Sequence, residues 1–169
     1  MELLCIQSQE HPQLPLAELR AVMECEDIQA DVDVICEGLV ILKNISEEDL
    51  CDYYEILTRR LGYTHEVHEL ISRSSVESFE EDISSIDWNK YIDENFAVRV
   101  KRINSQIDTV ETERWAGTLI LANSENVKVK LRHPNTLIRI ASFENELFAV
   151  AFEAKADERL RRAFTSITR

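Results

Sequence analysis

Glycine is scarce in this chain: three in 169 residues, at Gly38, Gly62 and Gly117, none near another. Cradling a phosphate or a dinucleotide needs backbone amides brought close by clustered glycines, and no GxGxxG or GxxxxGKS occurs. The GxSxG turn of a nucleophilic serine is missing too. With neither a cofactor loop nor a nucleophile–base pair, the chain is expected not to be an enzyme by itself. No apolar run approaches the ~20 residues a membrane span requires. The opening MELLCIQSQE has no basic stretch before its apolar residues, so it reads as a first strand, not a secretory signal. Cysteines are few, at Cys5, Cys25, Cys36 and Cys51, without a CxxC pair or zinc-like spacing. Cys5, inside LLCI, is expected to be a buried free thiol. A reducing, cytoplasmic compartment follows as the expectation.

What the chain has in excess is acid, and unevenly. Its net charge is −13. The first 95 residues hold 6 Lys+Arg against 23 Asp+Glu; the remainder holds 13 against 9. Fields depend on where charge sits, so the global balance does not exclude an anionic partner for the second half. The acid of the first half serves to hydrate a surface.

The periodicities predict a βαββαβ order first. Residues 2–7 read as a buried strand. Pro15 suits the first turn of a helix running to about Glu26, with Leu16, Leu19, Val22 and Met23 as its stripe. ADVDVICEGLVILKNI contains two β-branched runs meeting at Glu37-Gly38, a hairpin. Ser46 and Asp49 open a helix with Leu50, Tyr53, Tyr54, Leu57 and Leu61 on one face, and Gly62 is expected to close it in a left-handed conformation. YTHEVHELIS is a last strand. This order is ferredoxin-like. His65 and His68 would point to opposite faces of that strand, which argues against a metal site. SRSSVESFEEDISSIDWN then changes composition and is read as a connecting segment, partly helical, leading to a turn at Trp88 and Tyr91.

The second half is organised around residues 96–134. In FAVRVKRI, Phe96, Val98 and Val100 alternate with Arg99 and Lys101; in VKVKLRHP, Val127, Val129 and Leu131 alternate with Lys128, Lys130 and Arg132. Successive side chains of a strand point to opposite faces, so each piece has an apolar edge for a core and a cationic one. Between them lies a helix opened by Asp108 and Glu111 in a capping box. Strand–helix–strand closes as a right-handed unit with parallel strands. Five cations on one face then imply that this face stays open to an anion. LIRIASF and LFAVAF form a hairpin at Glu144-Asn145, and the charged AKADERLRRAFTSITR is read as a severed end.

FAVRVKRI, the helix bearing Glu113 and Arg114, and VKVKLRHPN followed by IRI together resemble the THUMP domain of tRNA-modifying enzymes. EHPQLPLAELRAVME and LGYTHEV resemble the region before it in archaeal tRNA guanosine-10 methyltransferases. The resemblance covers essentially the whole chain and rests on the ordered set, no motif of which is sharp. It implies an α+β protein: a ferredoxin-like domain at 1–75, then a THUMP domain with the start of a linker at 76–169. It also implies tRNA as partner, held by the acceptor stem and 3′ end. S-adenosylmethionine would be bound by a Rossmann-like methyltransferase domain that this chain lacks; no cofactor is expected here.

The candidate RNA-binding residues are Arg99, Lys101, Arg102, Arg114, Lys128, Lys130 and Arg132, since phosphate recognition wants cations projecting from a rigid frame. His133 and Asn135 join them by the resemblance alone. The competing explanation pairs these cations with nearby carboxylates or has them guard an edge strand. Trp88, Trp115 and Tyr91 are candidates for stacking on unpaired bases, with a core role the alternative for Trp115. Two other functions stay open: a free-standing adaptor that presents tRNA to a separate enzyme, and an acidic protein-interaction domain.

Overall fold

In a computed structural model, residues 1–154 are described, and they divide into two compact units, Met1–Leu70 and the remainder from Ile71. The charged C-terminal stretch from residue 155 lies outside the described residues.

The first unit runs β1 (Leu3–Gln7), α1 (Leu14–Cys25), β2 (Asp31–Cys36), β3 (Leu39–Lys43), α2 (Glu47–Arg60) and β4 (Thr64–Glu69). The sheet order is β2-β3-β1-β4 with every neighbouring pair antiparallel, the ferredoxin-like arrangement. Leu3, Cys5, Val40, Leu42 and Val67 on one face pack with Leu19, Val22, Met23 and Leu57 of the helices. Burial pushes the Cys5 thiol up to about 12, because the thiolate would have no water around it. Leu4, Ile6, Leu39 and Ile41, on the opposite face, are buried as well.

Local chemistry explains the ends. Ser46 caps α2, its Oγ accepting from the Asp49 amide at 3.1 Å. Gly38 turns the β2–β3 hairpin with φ +89°. Gly62 does not take the left-handed cap expected of it. Leu61 leaves α2 extended, and the Glu18 carboxylate accepts the Gly62 and Tyr63 amides at 2.8 and 2.9 Å, so a side chain does the work of a glycine turn. His65 is exposed and His68 buried, as their strand spacing requires.

The second unit contains β5 (Ser72–Ser75), α3 (Phe79–Ser84), a 3₁₀ turn (Trp88–Lys90), β6 (Asn95–Arg102), α4 (Thr109–Ala122), β7 (Lys128–Val129), β8 (Thr136–Phe143) and β9 (Glu146–Glu153). Its sheet order is β5-β9-β8-β6-β7. β6 pairs in parallel with both β7 and β8, and β9 pairs antiparallel with β8 and β5. Asp108 caps α4, its Oδ1 accepting from the Glu111 amide at 2.9 Å.

The serine-rich stretch is part of this unit's structure. Arg73 of β5 forms a two-point ion pair with Glu146 (2.8 and 3.1 Å) and lies over the Phe148 ring. Phe79, Ile83 and Trp88 pack with Phe96, Ile120, Ile138 and Ile140 in one core. The division between units therefore falls after Leu70, ahead of the boundary expected at 75. Serines and acids mask the few apolar residues that bind this stretch to the core.

Candidate nucleic-acid interface

The strand register sorts the cations. Phe96, Val98, Ile138 and Ile140 of β6 and β8 face α4. Asn95, Ala97, Arg99 and Lys101 therefore take the other face, and Lys128, opposite Asn95 in register, joins them. Lys130 continues the same alternation, its amide donating to Phe96 O at 2.8 Å. The predicted parallel strand–helix–strand unit is present, with its cations on one side.

The face is not open as expected. Ala97, Ala141, Phe148 and Val150 are wholly buried there, and Arg139 is 9% exposed. What remains accessible is the outer edge beyond β6. β7 is two residues long, not six: after Val129 the chain bends. Side chains explain the shortening. Beyond Phe96 the outer edge of β6 is satisfied without a partner strand, Glu113 accepting from the Val100 amide and Arg99 donating to Val98 O, both at 2.9 Å. Val129 and Leu131, expected to face the core, are 43% and 64% exposed for the same reason.

Residues 131–135 lead from β7, on one side of β6, to β8 on the other. The contacts show the route: Arg99 Nη2 donates to Leu131 O at 2.9 Å, and Asn95 Oδ1 accepts from the Asn135 amide at 2.8 Å. Both side chains belong to the face opposite α4, so the loop crosses β6 on that face. His133 lies within it at φ +50°, and Asn135 Nδ2 also donates to Glu94 at 3.0 Å.

The nine candidate residues thus separate. Lys128, Lys130, Arg132 and His133 are exposed together on the edge and its loop, and the three cations make no ion pair among the described residues. Arg99 is committed to two carbonyls and lies 3.8 Å from Glu113. Lys101 is half-buried on the same face; Arg102 is exposed at the end of β6. Asn135 is tied to Asn95 and Glu94. Arg114 stands on α4, across the sheet, beside an open groove of about 670 Å³ lined by Asp108, Glu111, Thr112, Trp115 and Thr118.

The aromatic candidates are mostly spoken for. Trp88 is fully buried, its Nε1 donating to Ile83 O at 2.9 Å, so it has no face for a base. Tyr91 lies edge-on to Trp88, and Trp115 is half-buried against Phe79 with ring centroids 4.9 Å apart. Sequence reasoning missed Arg139, though the alternation in LIRI marks it, and missed Asn95, for which nothing in the sequence is a signal.

A ferredoxin-like unit followed by this mixed sheet defines the class. Residues 73–148 match the family model of the THUMP domain. The particular relatives are tRNA (guanine(10)-N2)-dimethyltransferases. That of Methanothermobacter thermautotrophicus is 36% identical over 139 residues, covering 82% of this chain and 40% of the relative. That of Methanocaldococcus jannaschii is 28% identical, covering 82% and 43%. The chain thus spans about two fifths of the length of the curated relatives it matches. Among solved structures, Thermus thermophilus TrmN superposes with a TM-score of 0.62 at 18% identity, covering 89% of this chain and 45% of that one. A 4-thiouridine synthetase in complex with RNA and ATP gives 0.63 at 16%, covering 89% and 40%. These two likenesses are of fold.

Proposed function

We propose that this chain is the tRNA-binding region of a tRNA guanine-N2 methyltransferase, which holds the acceptor stem and its single-stranded 3′ end while a methyltransferase domain in the same polypeptide binds S-adenosylmethionine. The observation that carries the reading is the exposed group Lys128, Lys130 and Arg132 on a THUMP domain, without ion pairs among the described residues. Exposed cations on the edge and its loop can meet phosphates of a nucleic-acid backbone, and each phosphate they neutralise releases counterions. Support for tRNA as the polymer comes from the relatives, which are tRNA (guanine(10)-N2)-dimethyltransferases.

Recognition of this type is by shape and phosphate, with little base reading. The test is binding of the chain to a tRNA transcript with and without its 3′ overhang, at two salt concentrations. The expected result is affinity that falls about tenfold or more between 50 and 200 mM salt and weakens again when the overhang is removed. Equal affinity for both transcripts would leave a stem-binding protein and remove the 3′ end from the proposal.

A further inference from the structure

Arg99 is the cation that sequence alternation marks most plainly as a phosphate ligand, and the geometry gives it other employment. Nη1 donates to Val98 O and Nη2 to Leu131 O, both at 2.9 Å, and Glu113 Oε2 stands 3.8 Å from Nη1. Glu113 is itself fixed, since Oε1 accepts from the Val100 amide. Helix α4, strand β6 and the loop are thereby joined through one guanidinium. At the other end of the loop Asn95, 7% exposed, accepts from the Asn135 amide at 2.8 Å. Asn135 O in turn accepts from the Ala154 amide at 3.0 Å.

Between these two anchors stand only Arg132, His133 and Pro134. His133 has φ +50°, a conformation a non-glycine residue holds only when its surroundings impose it. Both exposed side chains, Arg132 and His133, project from this short segment. A loop that must be ordered on binding loses affinity to the entropy of that ordering, whereas one ordered by the fold does not.

We propose that Asn95 and Arg99 are positioning residues, which hold the Arg132–His133 turn preformed for an RNA phosphate instead of touching RNA themselves. The proposal rests on the reading of the basic edge as an RNA site. It divides the cations of β6, β7 and the loop after β7 into a framework member, Arg99, and ligands, Lys128, Lys130 and Arg132.

Amide hydrogen exchange on the free chain tests the positioning, and tRNA affinity tests its purpose. Asn95→Ala should speed exchange at the Asn135 amide that its Oδ1 holds, and Arg99→Ala at the Lys130 amide beside the carbonyl it holds, each by about tenfold or more, while Arg132→Ala should do neither. Both variants should weaken tRNA binding about tenfold. Asn95 carries no charge and is buried, so an affinity loss there is not a lost phosphate contact. Arg99 is partly exposed, and its variant keeps the test open should Asn95→Ala fail to fold. Unchanged loop exchange in the folded variants overturns the proposal. So does faster exchange with tRNA affinity unaltered. Faster exchange in a chain whose wild type binds no tRNA at low salt would instead sink the RNA reading and leave the anchors standing.

Discussion

The two units distribute positive charge differently. In the first, Lys43 pairs with Asp33, and Arg60 lies 2.9 Å from Glu26. In the second, Arg73 and Arg99 also have carboxylates beside them, but Lys128, Lys130 and Arg132 at the far edge have none among the described residues. Arg20 and Arg59, the first unit's cations without an ion pair among the described residues, stand on separate helices, α1 and α2, whereas at the edge of β7 three such cations stand together. A net charge of −13 therefore describes the first unit's surface and says little about the second's. The meaning of a cation is set by its neighbours, and the edge of one sheet is where three cations without a carboxylate gather among the described residues.

That contrast presupposes a firm scaffold under the basic edge. Trp88 is the point at which to break it, being the largest fully buried side chain and hydrogen-bonded to Ile83 O. Trp88→Ala should lower the unfolding free energy by about 3–5 kcal/mol, read from denaturant or thermal melts. A loss below about 1 kcal/mol would mean that the stretch before β6 is the linker its composition suggests and not part of the core.

The contrast is tested directly by reversing charge in both units. Lys128→Glu, Lys130→Glu and Arg132→Glu combined should reduce tRNA affinity by about a hundredfold or more at low salt and flatten its salt dependence. Lys43→Glu, Arg59→Glu and Arg60→Glu combined add the same negative charge to the first unit and should change affinity by less than about threefold. Comparable losses from the two sets would show that net charge governs binding, and the distinction between the units would collapse.

Much of this was legible in the sequence because it depends on local rules. Alternation gave β6 and the side its cations take, Ser46 and Asp108 marked two helix starts, and Glu37-Gly38 and Glu144-Asn145 marked two hairpins. What escaped depends on pairing between distant residues. VKVKLR alternates over its whole length, yet only Lys128 and Val129 form a strand, because Glu113 and Arg99 occupy the groups on β6 that a longer strand would need. Likewise Gly62 looks like a helix stop until Glu18, distant in sequence, supplies the acceptors. Of the candidate site, the residue types were legible; their division into held and free groups was not, since it is made by backbone carbonyls that no sequence pattern marks.

The smallest effects come from two glycines, one in each unit, that look alike in sequence. Gly38 sits at φ +89°, and a Cβ there would lie 2.8 Å from Gln9 Cγ. Gly38→Ala should cost about 1–2 kcal/mol, the penalty of the left-handed region, with Gln9 giving way as a flexible side chain can. Gly117 lies inside α4, and a Cβ there would meet nothing within 4 Å. A helix-interior glycine costs up to about 1 kcal/mol relative to alanine, so Gly117→Ala should stabilise the chain by about 0.5–1 kcal/mol. Thermal melts of the two variants should therefore move in opposite directions. The second variant also reports on α4 as a surface. A Gly117→Ala chain that melts higher and binds tRNA as before leaves recognition on the β7 edge and its loop. One that melts higher but binds less well would mean that RNA approaches the helix backbone at Gly117, on the same helix as Arg114, and would widen the interface to both sides of the sheet.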